Sequence, residues 1–269
     1  MPTDKPMSRA SGRLSGKVAI VTGAATGLGR EICLAFATEG ATVVCADIDG
    51  AGAQATADQI ASGAGTAAAV PVDVSSPEDT ARMARVALDE FGQCDILVAN
   101  AGIPGTGSAT EIDPDDWNRV LAVNLTGVWL SARAVLPHMV GRGRGSIVNQ
   151  ASVGGLTGVP HLAAYAASKG GVISLTRQMA ADYSPLGIRV NALCPSTVVT
   201  DLVRSTYERR SQLDGSDPDV ALHEKAQRIP MRRLGTEADI ASAALFLASD
   251  EAAWITGIVL PVDGGITAI

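Results

Sequence analysis

Short apolar runs of strand length punctuate the chain, and each of the first six meets glycine, proline or a polar residue at its end. Residues 17–22 (KVAIVT) run into Gly23-Ala-Ala-Thr-Gly27-Leu-Gly29, and residues 42–46 (TVVCA) run into Asp47. Residues 67–74 (AAAVPVDV) carry Asp73, with Pro71 marking an edge or the strand end. CDILVA (94–99) leads to Asn100-Ala101-Gly102, GSIVNQAS (145–152) delivers Ser152, and IRVNALCP (188–195) ends on Pro195. A seventh run, GIVLPVDGG (257–265), closes the chain.

Segments of helical period separate these runs. REICLAFATEG stops at Gly40, and an Ala-rich helix crosses the fifties. Pro77 to Phe91 has Ser76 as its N-cap. A long helix over roughly 114–140 carries Asn124, another spans about 161–184, and an amphipathic one runs from Glu237 to Ser249. Strand and helix in alternation predict an α/β fold: a doubly wound, seven-stranded parallel sheet with helices on both faces and order 3-2-1-4-5-6-7. No Pro/Gly linker divides it, so residues 14–269 read as a single domain and residues 1–13 as a disordered extension. Residues 196–235 break the rhythm: they are polar and charged, with Asp217-Pro218 and no clear period.

Composition narrows the partners. A net charge of −7 and only 3% aromatic residues argue against a nucleic-acid partner. Cys33, Cys45, Cys94 and Cys194 are widely spaced in apolar runs, as buried thiols of a reducing compartment would be. His138, His161 and His223 have no metal-ligand spacing, so no metal is expected. The polar N-terminus has no signal-peptide core, and no uninterrupted apolar run reaches spanning length. These features together predict a cytoplasmic protein with no membrane partner.

In an open α/β sheet, ligands bind beyond the carboxyl ends of the strands, at the point where strand order reverses. The glycine, proline and polar residues collect at that edge. Glycines after the first strand let the backbone approach a diphosphate at a helix N-terminus, although the spacing Gly-x-x-x-Gly-x-Gly departs from the common dinucleotide pattern. Asp47 falls where an acid binds a ribose 2′-hydroxyl, and its charge would repel a 2′-phosphate. No Arg among Ala24, Ala25, Thr26 or Ile48 offsets it, so NAD is favoured over NADP. Asp73 has two readings, a receiver for the adenine amino group or an ordinary strand-end acid.

Ser152, Tyr165 and Lys169 bring a hydroxyl, a phenol and an ammonium into one short interval. On a helix, Tyr165 and Lys169 share a face. Pro160 stands where the first turn of that helix would begin. An ammonium beside a phenol favours the phenolate, which would make Tyr165 a proton acceptor at moderate pH.

With these residues in order, the chain resembles the short-chain dehydrogenase/reductase family from about Leu14 to its C-terminus. Thr22 to Gly29, Asp73, Asn100-Ala101-Gly102, Asn124, Ser152, Tyr165-x-x-x-Lys169, Pro195 with Thr200, and Val262-Asp263-Gly264-Gly265 carry the likeness. The resemblance implies a Rossmann fold, a nicotinamide cofactor and hydride exchange between an alcohol and a carbonyl. It makes Tyr165 the general acid/base and gives Lys169 two tasks, lowering the Tyr165 pKa and binding the nicotinamide ribose. It has Ser152 hold the substrate oxygen and Asn124 hold a water that links Lys169 to solvent. Its nucleotide contacts would come from Gly23, Thr26, Gly27, Leu28 and Gly29, then from Asp47, Ile48, Asp73 and Val74. Asn100, Ala101, Gly102, Pro195, Val198 and Thr200 complete the set around the nicotinamide. It also implies a homotetramer built on the helices that carry Asn124 and Tyr165. Two positions depart from the pattern: Ala99 replaces the first Asn after the fourth strand, and Ser196 replaces the Gly after Pro195.

The expected function is therefore an NAD-dependent oxidoreductase acting on a small-molecule secondary alcohol or its ketone. The alternatives are a 3-oxoacyl-thioester (acyl-carrier-protein) reductase of the same family and a catalytically silent NAD-binding sensor. Substrate contacts are expected from Ser152, Val153, His161 and Ser196. Residues 196–235, with Arg204, Arg209 and Arg210, form either a lid over the substrate or a solvated insert.

Overall fold

The structure, a computed structural model, describes residues 12–200, 203–204, 207–208, 211 and 215–269. Its sheet has seven strands: β1 (Val18–Thr22), β2 (Thr42–Asp47), β3 (Thr66–Pro71), β4 (Ile96–Ala99), β5 (Gly145–Gln150), β6 (Ile188–Pro195) and β7 (Val259–Val262). Their order is β3-β2-β1-β4-β5-β6-β7 and every pairing is parallel, as expected. Strand order reverses between β1 and β4, which sets the ligand crevice above their carboxyl ends.

Two hydrophobic cores flank the sheet. On one face α1 (Gly27–Thr38), α2 (Gly50–Ser62) and α8 (Glu237–Ala248) bury Ile32, Phe36, Ile60 and Leu247 against Ala19, Val43 and Val98. On the other face α3 (Pro77–Phe91), α5 (Gly127–Arg142) and α6 (Ala163–Tyr183) bury Met83, Val135, Met139 and Val172 against Ile20, Leu97 and Ile147. The strands point alternate residues into the two cores, so both parities are apolar. Ser76 caps α3 by accepting from the Asp79 amide, and Pro71 ends the edge strand β3.

Several boundaries differ from expectation. The extension expected over 1–13 is wrong at its end: the Arg13 amide donates to Glu39 and its guanidinium pairs with Glu251. Residues 1–11 lie outside the described residues. The long helix is not uniform: α4 (Pro114–Leu121) passes through a π turn (Ala122–Thr126) into α5. By length and mean hydropathy alone the run Pro114–Arg142 could cross a membrane, but half of its most apolar stretch is buried within the fold. It is a core helix, kept apolar by contact with the sheet. Helix α6 begins at Ala163, so Pro160 precedes it and does not open its first turn. The segment 196–235 contains a helix, α7 (Pro218–Arg228), capped by Asp217. Its apolar period was hidden because only Leu222 of that helix is buried. Arg209 and Arg210 lie outside the described residues, and Arg204 is exposed.

Candidate active site

The glycine turn between β1 and α1 is built by close approach. Gly23 and Gly27 have φ of +69° and +55°, in the left-handed region that side chains resist. A Cβ on Gly29 would lie 1.9 Å from the Gly23 carbonyl oxygen, so only glycine closes this turn. Thr22 and Asn100 brace it from below. The Thr22 Oγ1 accepts from the Asn100 and Ala101 amides at 3.0 and 3.1 Å, and Asn100 Nδ2 donates to the Thr22 carbonyl at 2.9 Å. The Asn100 side chain therefore shapes the cradle from beneath.

This cradle fits a dinucleotide. The N-cap Thr26 makes no side-chain bond to the first turn of α1, and that turn contains no acidic residue. Its amide groups and positive dipole end remain available to a diphosphate. Asp47 leans over the turn, one oxygen accepting from the Ala25 amide and the other from the Asp49 amide, both at 2.9 Å. Each carboxylate oxygen keeps a lone pair for a ribose hydroxyl. Ile48 beside it is 74% exposed, an apolar shelf at the β2 end. Asp73 is occupied locally, its Oδ1 accepting from the amide and hydroxyl of Ser75. The Val74 side chain packs into the core against Gly127, which leaves only its main chain for a ligand. Leu28 likewise packs against the core below α1. Thr200 reaches the mouth of the turn, its Cγ2 lying 3.7 Å from a Cβ built on Gly27.

The polar cluster lies one strand further, beyond β5. Ser152 leaves the strand in extended conformation and enters a short 3-10 turn, Val153–Gly155. That turn lies flush against α6: a Cβ on Gly155 would meet the Lys169 carbonyl carbon at 2.7 Å. The contact brings the Ser152 hydroxyl and the Tyr165 ring together around Gly154, a Cβ on which would lie 3.5 Å from Ser152 Oγ and 3.6 Å from Tyr165 Cε1. Lys169, 3% exposed, donates to the Gln150 carbonyl at 2.7 Å and stands 5.7 Å from the centre of the Tyr165 ring. A Cβ on Gly102 would lie 3.3 Å from Asn124 Oδ1 and 3.5 Å from Lys169 Nζ, so these two groups face each other across the glycine.

Electrostatics correct one expectation. Burial pushes the Tyr165 phenol above its ordinary 10, and the neighbouring Ser152 hydroxyl only partly opposes this. Burial likewise pulls Lys169 down to about 8. Desolvation disfavours both charged forms, and Lys169 directs its ammonium to Gln150, so its charge does not lower the phenol in this state. Asn124 also differs in detail. It is fully buried on the π turn, and its side chain is taken up by the Ile103 amide, the Ile103 carbonyl and Ser168. Its first task is to pin the segment after Gly102 against the helix.

Of the remaining candidates, Val153 opens the 3-10 turn, and Pro195 and Val198 sit at the end of β6, Val198 pairing with Gly235. The Ser196 hydroxyl is enclosed with no protein partner. His161 lies at the head of α6, exposed, and pairs with Glu111. Several residues had no clear signal in the chain. Gln150 acts through its carbonyl, which carries no side-chain information. Cys194, buried and pushed up to about 11, lies behind Lys169 and Ser152 as part of the same interior. Glu111 comes from a loop distant in sequence.

Residues 23–267 match a family model described as enoyl-(acyl carrier protein) reductase. A 2-(S)-hydroxypropyl-CoM dehydrogenase of Xanthobacter autotrophicus is 43% identical over 261 residues, covering 96% of this chain and all of its own length. The chain belongs to the short-chain dehydrogenase/reductase family. A D-threitol dehydrogenase of Mycolicibacterium smegmatis is 39% identical over 95% of this chain and 94% of its own. A 3-oxoacyl-[acyl-carrier-protein] reductase of Thermotoga maritima is 35% identical over 94% of this chain and 99% of its own. Among solved structures, levodione reductase superposes with a TM-score of 0.90 at 34% identity, covering 95% of this chain and 99% of that one. A Beutenbergia cavernae protein described as an NAD(P)-dependent gluconate 5-dehydrogenase, with NADP bound at low occupancy, gives 0.86 at 39% identity over 95% and 98%. These relatives place the chain among enzymes that act on CH–OH groups.

Proposed function

We propose that the protein is an NAD-dependent oxidoreductase that interconverts a small secondary alcohol and its ketone, with Tyr165 as the general acid/base. The observation that carries this reading is the meeting of Ser152 and Tyr165 around Gly154, beside buried Lys169 at the ligand edge of the sheet. The nicotinamide cofactor, when bound, supplies the hydride acceptor or donor and, in its oxidised form, a positive ring charge. Tyr165 receives the alcohol proton in oxidation and returns it in reduction. Ser152 donates to the substrate oxygen and stabilises the negative charge that develops there. Lys169 stays largely protonated at neutral pH, since its pKa of about 8 lies above it, and holds ribose hydroxyls beside Tyr165. Asn124 and Lys169 facing across Gly102 support a proton route from the phenol toward solvent.

The preference for NAD rests on Asp47 and Asp49, two acids at the end of β2 where a 2′-phosphate would lie. The relatives named for D-threitol and 2-(S)-hydroxypropyl-CoM suggest a small secondary alcohol that carries a further substituent near the carbinol. A groove of about 400 Å³ between α5 and α6, with Trp129 and Val140 exposed, supports assembly into a homotetramer through those helices. Four free buried thiols accord with a cytoplasmic setting.

The test is Tyr165→Phe. The variant is expected to bind NAD with near-normal affinity and to lose about 100-fold or more in turnover, the range for a general acid/base. Turnover is read as absorbance of reduced cofactor with threitol and 2,3-butanediol. Near-normal turnover by this variant would remove Tyr165 from the chemistry.

A further inference from the structure

His161 has a backbone φ of +58°, a left-handed conformation that a side chain adopts at a cost. What the residue does there is join two segments. Its carbonyl accepts from the Gly107 amide at 2.8 Å, and the Gly107 carbonyl accepts from the Ala163 amide at 3.1 Å. Its ring Nδ1 lies 3.3 Å from Glu111 Oε2. Glu111 is held in place by the Ser108 amide at 2.9 Å. The contacts to Ser108 and His161 keep this carboxylate ionised down to about pH 2.

The segment joined to His161 is a strap that begins at the reaction centre. It leaves Gly102, beside Lys169, and Ile103 is pinned by both polar atoms of the Asn124 side chain. It then passes the catalytic helix so closely that a Cβ on Gly105 would lie 3.4 Å from the Tyr165 amide nitrogen. The strap is thus anchored at its inner end by Asn124 and at its outer end by His161. Between those anchors it runs along the first turn of the helix that presents Tyr165. We propose that His161 is a positioning residue: with Glu111 it clasps the 103–112 strap to the head of the catalytic helix and so fixes the outer wall of the substrate cleft. This deepens the oxidoreductase reading and rests on it for the identity of the cleft.

The test compares His161→Gly, which keeps the left-handed backbone and removes the ring, with Glu111→Ala, the double variant and His161→Asn. Asn tolerates the left-handed region, and its amide nitrogen falls near the position of Nδ1. With threitol as substrate, His161→Gly and Glu111→Ala are expected to raise KM by roughly three- to five-fold, the scale of an exposed pair. The expected kcat and the Kd for NAD are unchanged. The double variant is expected to be no worse than either single one, and His161→Asn to restore the KM. Amide hydrogen exchange at Gly107 and Ala163 gives a second readout that needs no turnover. Faster exchange in His161→Gly and Glu111→Ala, with wild-type exchange in His161→Asn, supports the clasp even if no alcohol is oxidised, an outcome that would count against the oxidoreductase reading alone. Unchanged exchange and unchanged KM in His161→Gly would overturn the proposal.

Discussion

Lys169 should leave a signature in the pH dependence of stability, separate from any activity. Its ammonium is 3% exposed, and burial lowers its pKa from 10.5 to about 8. The unfolded chain therefore binds more protons than the folded one between those values. Stability must rise as pH rises across that window and stay at its lower level below it. At 1.36 kcal/mol per pH unit, the full effect is about 3 kcal/mol, most of which develops between pH 7 and pH 10. The perturbation is Lys169→Met, which keeps the length of the side chain and removes the titration. The variant also strips the Gln150 carbonyl of its donor, a loss that does not depend on pH. Urea unfolding of both proteins at pH 7 and pH 10, without nucleotide, isolates the effect. Lys169 lowers the neighbouring Cys194 thiol, but at about 11 that thiol stays mostly protonated at pH 10 and adds little to the difference. The wild-type advantage over the variant should grow by about 2 to 3 kcal/mol from pH 7 to pH 10. A difference that is flat with pH, or that shrinks, would refute the claim that Lys169 is a desolvated ammonium in the free protein.

Three other perturbations bear on the cradle and the assembly. Asp47→Asn keeps an acceptor for the Ala25 amide and removes the charge, so the ratio of kcat/KM for NAD over NADP should fall about ten-fold, measured with saturating alcohol. Gly29→Ala forces a methyl onto the Gly23 carbonyl; it should lower stability by about 1–3 kcal/mol or more and weaken NAD binding, read by urea unfolding and titration calorimetry. Trp129→Glu places a charge in the groove between α5 and α6; light scattering should show smaller assemblies, with the monomer fold retained by circular dichroism.

The relation between chain and fold is clearest at particular residues. Apolar runs at β1, β2 and β4 and the residues that end them were readable because a strand buried on both faces cannot carry polar residues until it reaches the edge. The glycines at 23, 27 and 29 were readable because a tight turn at a helix N-terminus leaves no choice of side chain. Helix α7 was missed because its one buried residue, Leu222, makes no period. The π turn at Asn124 was not legible because the residue's partners there are main-chain atoms of Ile103, which carry no signal in the sequence.

By itself, then, the sequence determined the strand order, the ligand edge of the sheet and the identity of the polar groups delivered there. Those depend on local periodicity and on which residues can end a strand. The tertiary structure decided the charge state of the site. Proximity on a helix suggested that Lys169 would make Tyr165 acidic, but burial acts on both groups and raises the phenol while lowering the amine. Desolvation depends on everything packed around a group, including Gln150, Cys194 and the loop at Gly155. The strap closed by His161 and Glu111 has the same origin, since a contact across 50 residues exists only once the sheet has brought the two loops to one edge.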